Sequence, residues 1–242
     1  PGAAREWLMR VVFFGSGEFA VPSLRWLVNS PHEVALVVTQ PDRPAGRGKR
    51  LMPTPVALRA LQEGLPVERC ANVNEPEFAE RLRSLRADIG IVIAFGQKIL
   101  EPVRRAFPSE CVNLHASLLP KYRGAAPIPA VMLAGETRTG VTVFRLVDRL
   151  DAGPILIQRY TTIAPTETAE ELKCRLAGIG CDAIDATLRL HEKDPLPPGE
   201  PQDESQASYA PKLSKADGYI RFEEPADQIA LRCRAMWSWP GA

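Results

Sequence analysis

The sequence predicts an α/β protein, a mostly parallel, doubly wound sheet with helices on both faces. Three observations carry this. Four short apolar runs, "MRVVFF" (9–14), "EVALVVT" (33–39), "DIGIVIAF" (88–95) and "CVNLH" (111–115), are mostly β-branched or aromatic. Near-continuous runs of this kind fit strands buried on both faces. Helical patterns lie between them, and strand–helix alternation is the mark of a doubly wound sheet. After Gly135 the alternation stops: "GVTVFRLV" (140–147) and "PILIQRYTTI" (154–163) follow one another without a helix, which predicts an antiparallel pair.

Taken in order, Met9 reads as the natural start, with Pro1 to Leu8 an upstream remnant. Thr54-Pro55 supplies an N-cap followed by Pro at the first helical position, and Gly64 a C-cap. "PEFAERLRSLR" (76–86) has apolar residues at 78, 82 and 85, one face of a helix. Thr168 and Glu171 form a capping box for a helix running to about His191. "KDPLPPGEPQDESQ" (193–206) is Pro-rich and polar, a loop or linker, with a short extended segment and one more helix beyond it. The expected organisation is a main domain over 9–192, then a linker and the start of a further domain over 193–242.

Composition narrows the class. With 242 residues, 45% apolar and 24% charged, the chain can bury a sizeable core and is ordinary for a globular protein. A net charge of +1 is too small to indicate a nucleic-acid partner, so any basic footprint must be local. The five cysteines are odd in number and form no C-x-x-C pair. That pattern fits reduced thiols in the cytoplasm, not a disulfide framework or a zinc site. No apolar run approaches the ~18 residues that span a bilayer, and "VVFF" at 11–14 is too short for the core of a signal peptide.

"FFGSGEFA" (13–20) fits G-x-G-x-x-A after a strand, the weak form of a dinucleotide fingerprint. That fingerprint also needs an acidic residue at the end of the second strand to hold a ribose. Here the second strand ends Thr39-Gln40-Pro41, and Asp42 lies beyond it in a loop rich in Pro, Gly and Arg. The motif reads as a tight strand-to-helix turn whose glycines serve backbone geometry.

The chemistry concentrates at the end of the fourth run. Alternation along a strand puts Asn113, His115 and Ser117 on one face, at the carboxyl end of the sheet where open α/β folds bind ligands. An amide and an imidazole together suit acyl transfer: Asn donates to a developing oxyanion, and His donates when protonated or accepts when neutral. Nothing nearby resembles an activated nucleophile, which favours direct attack by an amine substrate. A carboxylate is needed to orient the imidazole, and "VDRLDAGPIL" (147–156) offers both Asp148 and Asp151. His32 and His191 read as surface residues.

These segments resemble a known family. "NLHASLLPKYRGAAPI" is similar to the N-x-H-x-S-L-L-P-x-(W/Y)-R-G segment of formyltransferases and hydrolases that use 10-formyltetrahydrofolate, and "RLDAGPIL" to their (G/F)-L-D-x-G-x-(I/L)-L segment. "TQPDRPAGRGKRLMPTPV" (39–56) resembles the insertion after the second strand of methionyl-tRNA formyltransferases, and "YAPKLSKADGYIRF" (209–222) their linker. The resemblance implies a Rossmann-like formyltransferase fold and a C-terminal β-barrel beyond this chain. It assigns the catalytic carboxylate to Asp151, beside Asn113 and His115, and leaves Asp148 a bystander. It implies that Ser117, Leu118, Leu119 and Pro120 border the folate. It makes 10-formyltetrahydrofolate the co-substrate and initiator methionyl-tRNA the partner, with no metal, membrane or DNA. Arg43, Arg47, Lys49 and Arg50 become tRNA contacts, with Lys121 and Arg123 adding to that footprint. Another formyltetrahydrofolate enzyme, a hydrolase or a sugar-nucleotide formyltransferase, is the alternative; a non-enzymatic RNA- or nucleotide-binding module on the same fold would leave the occupied catalytic positions unexplained.

Overall fold

The computed structural model describes residues 8–45, 50–191 and 196–242. In chain order its elements are β1 (Arg10–Gly15), α1 (Val21–Val28), β2 (Glu33–Thr39), a hairpin of β3 (Arg43–Ala45) and β4 (Arg50–Met52), α2 (Pro55–Gln62) and β5 (Val67–Arg69). There follow α3 (Pro76–Ser84), β6 (Ile89–Ile93), α4 (Glu101–Arg104), β7 (Cys111–His115), β8 (Arg123–Gly124) and α5 (Pro127–Leu133). The last are β9 (Arg138–Arg145), β10 (Ile155–Thr162), α6 (Ala169–Leu190), β11 (Tyr209–Ala210) and α7 (Ala226–Ala235).

One seven-stranded sheet runs in the order β10-β9-β7-β6-β1-β2-β5. β7, β6, β1, β2 and β5 are parallel, while β9 lies antiparallel to β7 and β10 antiparallel to β9. The expected mostly parallel sheet is therefore present, with the antiparallel pair at one edge. Strand alternation on β1 shows why its apolar run is continuous. Val11 and Phe13 enter one core with Leu24 and Leu27 of α1 and Leu172, Leu176 and Ile184 of α6. Val12 and Phe14 enter the other with Phe78 and Leu82 of α3 and Val103 of α4. Both faces are covered, so neither tolerates a polar residue.

Local chemistry sets the helix ends. The Thr54 hydroxyl accepts from the Ala57 N–H at 3.1 Å to start α2, and Gly64 at φ +68° stands just past its end. At α6 the Thr168 hydroxyl accepts from the Glu171 N–H at 3.3 Å, and the Glu171 carboxylate accepts from the Thr168 N–H at 2.8 Å, the expected capping box. Two features escape a reading by apolar pattern. β5 is only three residues, Val-Glu-Arg, paired along one side of β2. The two ends of the basic loop after β2 pair as the antiparallel strands β3 and β4, Arg43 opposite Met52.

The Pro-rich stretch packs back onto the sheet. Leu196 is buried, Arg145 donates to the carbonyls of Leu196 and Pro197, Glu200 bridges to Ile155, and β11 pairs in parallel with β8. Among the described residues no helix is long and apolar enough to cross a membrane.

Candidate active site

β7 carries the first two site residues to the carboxyl end of the parallel strands, Asn113 between Val92 of β6 and Phe144 of β9. Asn113 is half-buried, and no described group hydrogen-bonds its amide, which leaves both N–H donors for a ligand. His115 is buried. Its Nε2 donates to the Tyr122 carbonyl at 2.8 Å, and its Nδ1 faces Asp151 Oδ2 at 3.7 Å. The second distance exceeds a hydrogen bond, so the pair is adjacent without being closed.

Asp151 comes from the turn between β9 and β10, buried like its partner and at φ +48°. Its Oδ2 accepts the Gly124 N–H at 2.8 Å. Two glycines make this approach possible. Gly124 has φ +120°, and a Cβ there would lie 2.5 Å from the Ala210 carbonyl oxygen. A Cβ on Gly153 would lie 1.7 Å from the Arg145 carbonyl oxygen.

The two aspartates separate by environment. The Asp148 side chain is 72% exposed and pairs at 2.9 Å with Arg104, whose side chain is 9% exposed. Arg104 also donates to the Ile99 carbonyl. Asp148 thus anchors the turn to α4 and lies apart from the imidazole.

The segment after β7 forms a braced turn. Ser117 is fully buried, and its hydroxyl donates to the Lys121 carbonyl at 2.7 Å. Thr142 donates to the Ser117 carbonyl and accepts the Leu119 N–H; Gln158 donates to the Leu119 carbonyl. Leu119 is buried and Pro120 half-buried. Leu118 faces a shallow pocket of about 200 Å³, together with Lys121, Tyr122, Glu136, Arg138 and Tyr160. There Tyr122 donates to Glu136 at 2.9 Å. Burial and that carboxylate push the Tyr122 hydroxyl up to about 12.

Of the basic residues, Arg43 and Arg50 are exposed on the hairpin, and Arg43 donates to Gln40. Arg47 and Lys49 lie outside the described residues. Two expectations are corrected. Arg123 has no exposed side-chain surface, because its guanidinium is ion-paired to Glu204 and bonded to Gln202, and so it adds nothing to a nucleic-acid footprint. His191 is buried against Ser109 at the end of α6 rather than on the surface, and His32 is half-buried, with Nδ1 accepting the Met9 N–H.

The Gly15-Ser16-Gly17 turn is occupied by the chain itself. The N–H groups of Ser16 and Gly17 donate to the Ala94 carbonyl, and the Ser16 hydroxyl to the Phe95 carbonyl. A phosphate cradle would need those N–H groups free. Among the described residues no group of three or more His, Cys, Asp or Glu side chains is placed to hold a metal ion.

Sequence reasoning missed Arg104, Thr142, Gln158 and Gln202, which brace the site. Each acts through tertiary contacts that no local spacing announces; Gln202 reaches Asp151 from 51 residues away.

Comparison with known proteins identifies the family. The formyl transferase family model matches residues 9–187. A methionyl-tRNA formyltransferase of Heliobacterium modesticaldum is 45% identical over 97% of this chain and 73% of its own length. One of Methylococcus capsulatus is 46% identical over 97% of this chain and 76% of its own. Among solved structures, a sugar 3N-formyl transferase has a TM-score of 0.71 at 20% identity, covering 94% of this chain and 78% of that one. A phosphoribosylglycinamide formyltransferase from Bacillus halodurans has a TM-score of 0.63 at 24% identity, covering 76% and 96%. The two solved structures share the fold; the sequence relatives share far more, and this chain belongs to the methionyl-tRNA formyltransferase family.

Proposed function

We propose that the chain moves the formyl group of 10-formyltetrahydrofolate to the α-amine of methionine carried by initiator tRNA, in the cytoplasm, with Asn113, His115 and Asp151 as the catalytic residues. The observation that carries the residue assignment is the buried His115–Asp151 pair beside an Asn113 amide free to donate. The close relatives support the choice of substrates.

In this mechanism the neutral amine attacks the formyl carbon directly. Negative charge gathers on the formyl oxygen, where the Asn113 N–H and the His115 Nε2–H donate to it. Nε2 now donates to the Tyr122 carbonyl, so His115 exchanges that acceptor for the oxyanion as substrate enters. Asp151 faces the other ring nitrogen at 3.7 Å and helps the proton lost by the amine reach N10 as the C–N10 bond breaks. The products are formyl-methionyl-tRNA and tetrahydrofolate, with no covalent enzyme intermediate. The 117–120 turn borders the folate, its backbone braced by Thr142 and Gln158. The exposed cations of the hairpin meet the tRNA backbone.

The decisive test is incubation with 10-formyltetrahydrofolate and methionyl-tRNA, followed by mild deacylation. Formyl-methionine is the expected product. Formate released without an acceptor, or an amino-sugar nucleotide formylated in preference to methionyl-tRNA, would overturn the assignment.

A further inference from the structure

The segment after the Pro-rich loop crosses behind the His115–Asp151 pair, and one side chain from it uses its whole hydrogen-bonding capacity there. The Gln202 amide nitrogen donates to the Asp151 carbonyl at 2.9 Å and to the Gly153 carbonyl at 2.8 Å. Its amide oxygen accepts from Arg123 Nε at 3.1 Å and Nη2 at 2.7 Å. Two donors and one shared acceptor leave a single orientation for the amide. Glu204 takes the rest of the Arg123 guanidinium as a fork, Nη1 at 3.0 Å and Nη2 at 2.9 Å.

The anchoring of Arg123 matters because of its neighbours. The residue before it, Tyr122, presents the carbonyl that accepts from His115 Nε2, and the residue after it, Gly124, the N–H that donates to Asp151 Oδ2. Residues 122–124 therefore touch both members of the pair through the backbone, and Arg123 fixes where that backbone lies. Gln202 joins this stretch to the turn that carries Asp151, a residue at φ +48° whose placement depends on its surroundings.

We propose that Gln202, anchored by Arg123 and Glu204, is a positioning residue that sets the distance between His115 and Asp151. It touches no reacting atom and acts through Asp151. This rests on the proposed function for its kinetic consequence, though not for the geometry.

Two variants test it. Gln202→Glu keeps an oxygen for Arg123 but turns an acceptor toward the two carbonyls; Gln202→Asn keeps the amide and shortens its reach. Each is expected to lower kcat about 10-fold, in line with the effect of misplacing a catalytic group by a fraction of an ångström. KM for both substrates should stay close to the parent's. The same changes made on an Asp151→Ala background should cost nothing further, because the effect travels through Asp151. A fall by the same factor in both backgrounds, or a Gln202→Glu enzyme as fast as the parent, would overturn the proposal. An activity-independent readout is the imidazole NMR spectrum, which holds only three histidines. The His115 signals should move in both variants while those of His32 and His191 stay. Unmoved His115 signals would refute the positioning role. A parent that formylates nothing would refute the proposed function and leave the NMR result standing.

Discussion

Asn113, His115 and Asp151 each place one polar group at the end of β7, and in the proposed mechanism truncation of any of them removes a distinct contribution to the transition state. Replacement of each by Ala is expected to lower kcat by about 10²-fold or more, with the circular dichroism spectrum unchanged. Asp148 separates from them by role. Asp148→Ala should leave kcat close to the parent's while stripping the buried Arg104 of its carboxylate. Because Asp148 itself is well exposed, the expected loss is about 1 kcal/mol, seen as a fall of about 2–4 °C in Tm for a chain of this size. A large drop in kcat for Asp148→Ala with Asp151→Ala active would reverse the assignment of the two aspartates.

Among the elements, the β3–β4 hairpin is the one that carries the proposed tRNA contacts. It presents Arg43 and Arg50 with the exposed Leu51 and Met52, while Asp42 at its base is taken by Arg69 at 2.7 Å. The adjacent carboxylate therefore does not neutralise Arg43. Arg43→Ala is expected to raise KM for methionyl-tRNA much more than KM for the folate. Replacing Arg43 and Arg50 together should flatten the slope of log K against log salt by about 0.7–0.9 for each phosphate that is no longer neutralised. A small amine acceptor, too short to reach the hairpin, should be formylated at the same rate by mutant and parent. Equal slowing of both acceptors would make the hairpin part of the catalytic scaffold.

For the whole molecule, the returning segment that pairs β11 with β8 ties residues 202–210 to the candidate site. The hydrogen bond from Arg123 holds the Glu204 carboxyl below the usual carboxylate range. A lowered value means that the pair's contribution to stability is complete above the ordinary glutamate value and is lost as pH falls through the lowered one. Thermal unfolding of the parent and Glu204→Gln, followed from neutral to acid pH, should differ at neutrality and converge in acid. Ligand linkage offers a second check on the molecule. A tetrahydrofolate analogue should raise Tm, whereas NADH should not, since the Ser16 and Gly17 N–H groups already donate to Ala94.

The sequence by itself determined the layered α/β class, the positions of its main strands and the two capped helices, because burial on both faces and end-capping are written in short-range patterns. It also placed Asn113 and His115 on one strand face, since strand period alone decides that. Choosing Asp151 over Asp148 took the family resemblance, because spacing treats the two aspartates alike. Only the tertiary structure decided that Asp148 belongs to Arg104, that Arg123 is a buried anchor instead of a surface cation, that His191 lies inside, and that the ends of the basic loop pair as β3 and β4. These outcomes depend on partners 44 residues away for Asp148, 81 for Arg123 and 82 for His191. The sign and polarity of a side chain are local properties, but what satisfies it is settled by packing.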